Sequence, residues 1–587
     1  MSDQDADKYR PIQWSPEERP TLPGGPSFPN HSTARRIAFF LVGSLVTLTG
    51  GLGNALVTVN ILNLQGTLGA YYYETNWLPA AYVMTNASMN LLLVKFRQQY
   101  GLRAFTEFFL VLYALVTFGH LFVNDLGTAI AVRAFHGIAG AALSTLGLYY
   151  TLQAFRRPWR QRGIVISTGV SQLAQPIAYM FSATLLNFAE WRGLYLFELG
   201  LTLVTLGAVL WLKLPPGDRF KAFRPTDFLT FALFAPGMAL LCAAITFGRV
   251  FWWTDRPWIG VALAASIVLI AAAIWVEHIR LHPLLNLRWL TSGTIARLFL
   301  FMVLVRIVLS EQSVGAVGFL RLVGLNNDQM TVLFGVVLLC TLAGIAVSVM
   351  ITDPNHLMAP QVVALLIMAL GAWIDSTATN VTRPEQMYVS QGMLAFGSVM
   401  FLGPLLLTLL GAVVTNPANL ITFSVLFGLT QNLGSLLGSS LIGTFQIWRE
   451  KFHSSVLAES LSALDPIVAA RIAQGGAAYG RMLADPNARM RQGIAALAAV
   501  QTREANILAY NDVFLLLAVV AALTALWIFG RALWLKYVAP PAVQASAAAA
   551  GPTSAHDSAT DSPVATPAGT PPEPVARVAS PHQPSTT

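Results

Sequence analysis

Arg133, Arg306 and Glu311 each interrupt a run of apolar residues long enough to cross a bilayer. The sharpest case is FMVLVRIVLSEQSVGAVGF, residues 301 to 319, where a cation and an acid share an otherwise oily segment. A charge at mid-helix in lipid costs about 2.5 to 3.5 kcal/mol on insertion scales, so such a residue faces a cavity or a partner. Burial penalises the charge of a carboxylate, and a nearby arginine relieves that penalty. A carboxyl held between these effects can take up and release a proton as its surroundings turn dry or wet. Glu311 is the single acid expected deep in a helix lining the centre of the molecule. The bland alternative is a permanent ion pair with Arg133, Arg306 or another internal donor. At about 100° per residue, Arg306 and Glu311 point roughly 140° apart, so each needs a partner on another helix.

Uncharged polar residues recur in the same apolar runs. Asn54, Asn60 and Asn86, Gln172 and Gln175, His136, Gln312 and Gln391 offer mixed donors and acceptors that suit a polar pathway. Taken singly, each also reads as an interhelical hydrogen bond. Gly137 and Gly140 follow Arg133 on a small-residue face, and Gly434 and Gly438 have GxxxG spacing, which suits close helix packing. Catalytic signatures are absent: there is no HExxH, no GxSxG and no Walker loop. The nine histidines lack ligand spacing, and Cys242 and Cys340 read as packed thiols, so neither a metal site nor a disulfide is expected.

The elements that must hold these residues are membrane helices. Of 587 residues 55% are hydrophobic and only 11% charged, less than half the charged share of about 25% found in soluble domains. The net charge of +8 is spread over short loops and forms no block that would suit nucleic acid. With about 20 apolar residues needed per crossing, some fourteen spans are expected. The first six are 37–64, 76–95, 104–123, 128–154, 164–186 and 192–213. Then come 228–247 and 258–277, and after them 295–322, 329–351, 359–376, 388–412, 420–446 and 511–534. Lys95, Arg97 and Arg103, then Arg156, Arg157, Arg160 and Arg162, then Lys213, Arg219, Lys221 and Arg224 fall in alternate loops. Positive loops stay in the cytoplasm, which puts both termini there. Residues 447–510 form the one long connection, expected as a small helical cap on the opposite face. The N-terminal stretch has no cleavable-signal pattern, and the Ala-, Pro-, Ser- and Thr-rich tail reads as disordered.

In chain order, RAFHGIAGAA from Arg133, EWRGLYLFELG from Glu190, EHIRLHPLLNLRWL from Glu277, QNLGSLLGSSLIGTF and VQTREANILAYNDVF form a set. That set resembles the major facilitator superfamily, in particular its fourteen-helix drug:proton antiporters of the EmrB/QacA type. The resemblance implies an all-α integral membrane fold of two six-helix halves, 37–213 and 295–534, with two extra helices inserted between them in 214–294. Tails would occupy 1–36 and 535–587. It further implies export of amphiphilic or aromatic small molecules across a bacterial inner membrane, driven by the proton motive force and without a cofactor. The cap would suit a periplasmic membrane-fusion adaptor and an outer-membrane channel as partners. The chain departs from the pattern in three places. Asn54 stands where an early Asp is usual; the loop after the second helix keeps Gly101 but has Gln98 at its Asp; and the fifth helix keeps Pro176 but replaces the preceding glycine with Gln175. Loss of two acids shifts proton coupling onto Arg133, Glu311 and Arg306. A transport-dead scaffold in an efflux assembly, and a membrane-embedded lipid-modifying enzyme, are the alternatives.

Overall fold

The computed structural model describes residues 14, 15, 18–20, 24–281, 283–353, 355–414, 419–462 and 464–538. Most of the predicted disordered tail at 535–587, and much of the N-terminal tail, lie outside the described residues. Six helices form the first half: α1 (Thr33–Val59), α2 (Trp77–Tyr100), α3 (Leu102–Gly119), α4 (Leu126–Gln153), α5 (Arg160–Gln172) and α6 (Ala174–Trp211). Two follow, α7 (Pro225–Val250) and α8 (Pro257–Ile279). The second half comprises α9 (Gly293–Ser310), α10 (Thr331–Ile351), α11 (Met358–Asp375), α12 (Tyr388–Val414), α13 (Leu420–Glu459) and α14 (Pro486–Tyr537).

Among the described residues, 12 helical segments are long and apolar enough to cross a membrane. Two adjustments bring the crossings to fourteen. Arg157–Trp211 is counted once, yet its 55 residues would span about 80 Å if straight. Its backbone leaves helical geometry at Ala189 and Glu190, where φ is −152° and +52°. The chain turns back there, because a Cβ on Gly193 would strike the carbonyl of Leu185, eight residues earlier. The other adjustment is α2, whose 24 residues suffice in length but include buried Asn86, Ser88, Lys95, Arg97 and Gln98.

Within the first half, α4 lies between α1 and α2, and α6 between α1 and α3. The α1 to α4 approach is close because threonines face glycines: Gly147 leaves no room beyond Thr47, and a Cβ on Gly43 would come 2.6 Å from Thr151 Oγ1. In the second half α11 packs on α12 and α14, and α9 on α13. The halves meet along α2 with α13 on one flank and α5 and α6 with α10 and α12 on the other. The inserted pair α7 and α8 packs on itself and sets α7 against α2 and α13.

The connection at 447–510 differs from the expected separate cap. The sequence WREKFHSSVLAE has no helix breaker, so α13 continues to Glu459 and reaches 40 residues. On the return, Asp485 caps the backbone of Asn487 and Ala488, Pro486 occupies the first turn, and α14 then runs for 52 residues without a break at 510. Two membrane helices thus extend beyond the bilayer as a pair, with the helix Pro466–Ala477 laid against α14. The Asp-Pro pairs at 465–466 and 485–486, where the sequence reads as breaking the cap into separate helices, are both helix starts.

Candidate functional site

The second half holds a buried acid pair. Glu311 opens a π-helical stretch, Glu311–Ala316, which separates α9 from the short helix Val317–Leu322. Such wide turns are costly and concentrate at functional positions. Glu311 is 0% exposed and Asp375, at the end of α11, is 4% exposed. Gln391 on α12 joins them, its amide donating to Glu311 Oε1 at 3.0 Å and to Asp375 Oδ2 at 2.8 Å. Ser390 donates to the other oxygen of Asp375 at 2.5 Å. One side-chain amide thus bridges two buried carboxyls from different helices. No cation lies within ion-pair distance of either acid among the described residues.

A second polar cluster is buried in the first half. Arg133 on α4 donates to the Gly53 carbonyl at 3.0 Å and to Asn54 Oδ1 at 2.8 Å, lies 3.0 Å from His136 Nδ1, and stacks 4.6 Å from the Tyr82 ring centre. The other nitrogen of His136 is 2.9 Å from Glu198 Oε1, on α6. Tyr113 donates to the same oxygen at 3.0 Å, while Glu198 Oε2 has no partner. Gly53 is required here, since any Cβ would run into the Tyr113 hydroxyl and Glu198. The His120 ring sits 5.0 Å from that of His136. Arg133 therefore has a fixed place in a network spanning α1, α2, α4 and α6.

Between the halves lies a cavity of about 70 Å³, lined by Gln172, Gln175 and Pro176, by Arg306, Ser310, Gln312 and Ser313, and by residues of α10, α12 and α13. Gln312 also donates to the Gln391 carbonyl at 3.1 Å, which ties the cavity wall to the acid pair. The halves also touch near both ends of α10. At one end Asn327 donates to Ser182 and to the Val59 carbonyl, and Arg321 reaches the same carbonyl at 3.2 Å. At the other, Gly169 and Gly403 bring α5 against α10 and α12.

The predicted residues thus divide among three places. Glu311 and Gln391 fall in the acid pair, and Arg133, His136 and Asn54 in the first-half cluster. Gln172, Gln175, Gln312, Pro176 and Arg306 reach the cavity. The expectation that Glu311 is the single deep acid is wrong: Glu198 and Asp375 are equally deep. Both escaped because they sit near helix ends in sequence, Glu198 within a motif and Asp375 beside a polar loop. The other predicted pathway residues serve packing. Asn60 donates to the Leu56 carbonyl and accepts from Ser182 at 2.6 Å, away from the cavity. Asn86 bonds the Gly137 carbonyl and Asn432, bridging the halves along α2 and α13. Gly137 and Gly140 receive Tyr82 and Thr85, and Gly438 receives Ser310. Gly434 accommodates the Arg306 stem at 3.2 Å, and Gly101 turns with φ +86° over Arg219.

Two facing six-helix halves, a polar cavity between them and buried ionisable groups beside it define a multi-pass integral membrane protein built as a transporter is. The fold is that of the major facilitator superfamily. The comparisons with known proteins agree with it. The chain is similar to a bacterial homologue of the human drug peptide transporters PepT1 and PepT2, with TM-score 0.51 and 12% identity over 86% of this chain and all of that one. It is equally similar to the human organic anion transporter MFSD10, with TM-score 0.51 and 12% identity over 84% of this chain and all of that one. In sequence it is 25% identical over 197 residues to a multidrug resistance protein, MdtD, of Cronobacter sakazakii. That match spans 33% of this chain and 41% of the relative. No family model matches the chain. These relatives support the resemblance to the multidrug branch of the superfamily, and they are transporters, not enzymes.

Proposed function

We propose that the chain is a proton-driven exporter of amphiphilic or aromatic small molecules across a bacterial inner membrane, with both termini in the cytoplasm. The observation that carries this reading is the Glu311, Gln391 and Asp375 arrangement. Two carboxyls packed together without a cation cannot both ionise cheaply, so the pair holds a proton while it is dry and sheds one when water reaches it. Gln391 fixes the pair, and Gln312 links the Gln391 backbone to the cavity, so a ligand that moves Gln312 moves the amide that bridges the acids.

Alternating access supplies the cycle. The polar contacts of Asn327 and Arg321 close one end and the glycine contacts of α5 close the other. Rocking one half against the other opens them in turn. In the outward-open state a proton from outside is taken up as substrate leaves, and its loss on the inner side, as new substrate binds, readies the protein for the next export step. Each charge moved inward yields about 2.3 kcal/mol per 100 mV. No cofactor is needed. The similarity to a multidrug resistance protein supports the drug-export direction. The long α13 and α14 extensions are suited to a periplasmic adaptor that leads to an outer-membrane channel.

Efflux from everted vesicles, with and without a protonophore, tests the reading. Protonophore-sensitive efflux is expected, and efflux that ignores the protonophore would remove proton coupling.

A further inference from the structure

Three arginines, Arg97, Arg160 and Arg306, have buried guanidinium nitrogens without a hydrogen-bond partner; Arg97 and Arg160 lie over the rings of Tyr149 and Phe28, and of the three Arg306 is the one that lines the central cavity. Arg133 is matched by Asn54, His136 and a backbone carbonyl, and Lys95 and Arg280 are matched by Asp227. Arg306 donates no hydrogen bond and forms no ion pair among the described residues, and its Nε is buried without a partner. Its stem is held against α13 because Gly434 has no side chain, and its head lines the central cavity. No acid lines that cavity. Its wall consists largely of neutral donors, including Gln172, Gln175, Gln312 and Ser313. Arg306 is half-buried, and its Nε, shut away without a partner, is a costly unmet donor. A guanidinium aimed into a cavity whose walls can also donate hydrogen bonds is arranged for an anion, because guanidinium binds carboxylate, sulfonate or phosphonate through paired, charge-assisted bonds.

We propose that the cavity binds the anionic head group of the exported molecule, with Arg306 as its counter-ion, so that the substrates are organic anions. This rests on the export reading but assigns Arg306 to the substrate and leaves the proton to Glu311 and Asp375. At about 70 Å³ the cavity has room for a compact head group. Glu311, on the same helix, is engaged by Gln391 and is not available to neutralise Arg306.

Equilibrium binding to the purified full chain in lipid nanodiscs tests this separately from any proton movement. The probes are 2-naphthoate, 2-naphthalenesulfonate and phenylphosphonate, compared with 2-naphthyltrimethylammonium. At least one anion is expected to bind more tightly than the cation. Arg306→Gln should weaken that anion about 10- to 100-fold, as for loss of a charge-assisted hydrogen bond, and should leave or improve binding of the cation. Arg306→Lys, which keeps the charge, should retain most of the preference and guards against a folding defect in the first variant. Failure of all three anions to bind, binding of the cation at least as tight as that of the anions, or equal weakening of both charge types in Arg306→Gln would overturn the proposal. Protonophore-insensitive export with the anion preference intact would instead remove the proton-coupled reading alone.

Discussion

At the scale of single residues, the acid pair and the first-half cluster make different demands. Glu311→Gln and Asp375→Asn each remove one ionisable group while keeping the hydrogen-bonding shape around Gln391. Each is expected to reduce proton-driven export to the background of empty vesicles while substrate binding survives, which vesicle transport and equilibrium binding would resolve together. Arg133 is different because its guanidinium serves Gly53, Asn54 and His136 at once. Arg133→Ala leaves Glu198 and His136 without their cation, and breaking a buried charged network costs about 3 to 5 kcal/mol. A lowered melting temperature in detergent is therefore expected. Arg133→Lys should recover only part of it, since an ammonium cannot reproduce the fork. Sequence spacing was enough to single out Arg133, Arg306 and Glu311, because a charge in an apolar run is conspicuous. It could not pair them. Asp375 and Glu198 come from helices distant in sequence, and only the tertiary packing of α6 on α1 and of α11 on α12 brings them in.

At the scale of elements, two contact sets hold the arrangement. Where α2 and α8 end and α7 begins, Asp227 is fully buried between Lys95 at 2.6 Å and Arg280 at 2.5 Å, and Glu277 accepts from Arg280, from Thr230 and from the backbone of Leu284 and Leu285. Asp227→Asn leaves two cations facing one another and should cost about 3 to 5 kcal/mol, read as an earlier thermal transition. At the opposite end, Asn327→Ala removes the bonds to Ser182 and Val59 while sparing the acid pair. Greater labelling of a cysteine introduced at Ser313, in a background without Cys242 and Cys340, is expected as that end opens more often. Unchanged labelling would mean that these bonds do not close the passage. The spans themselves were legible from apolar run length, whereas the Asp-Pro pairs, legible as breaks, are capped helix starts in the structure. The continuity of α13 and α14 past the membrane was not, because apolarity falls at the membrane edge while helix propensity does not, and the two signals were read as one boundary.

At the scale of the whole molecule, two halves flank a cavity whose wall carries a cation and whose neighbour is a carboxyl pair. On the proposed reading, substrate and proton have separate seats joined through Gln312 and Gln391. On that reading the absence of acids at Asn54 and Gln98 leaves the proton site in place, since Asn54 serves as an acceptor for Arg133 and the carboxyl pair lies in the other half. The most direct measurement is proton flux in liposomes containing the full chain and an internal pH dye, recorded as aromatic substrates of either charge are added. The parent is expected to move protons when substrate is added, and Glu311→Gln to bind the same compound without moving them. Equal substrate-driven proton flux in the parent and in Glu311→Gln would contradict the assignment of the proton to this pair.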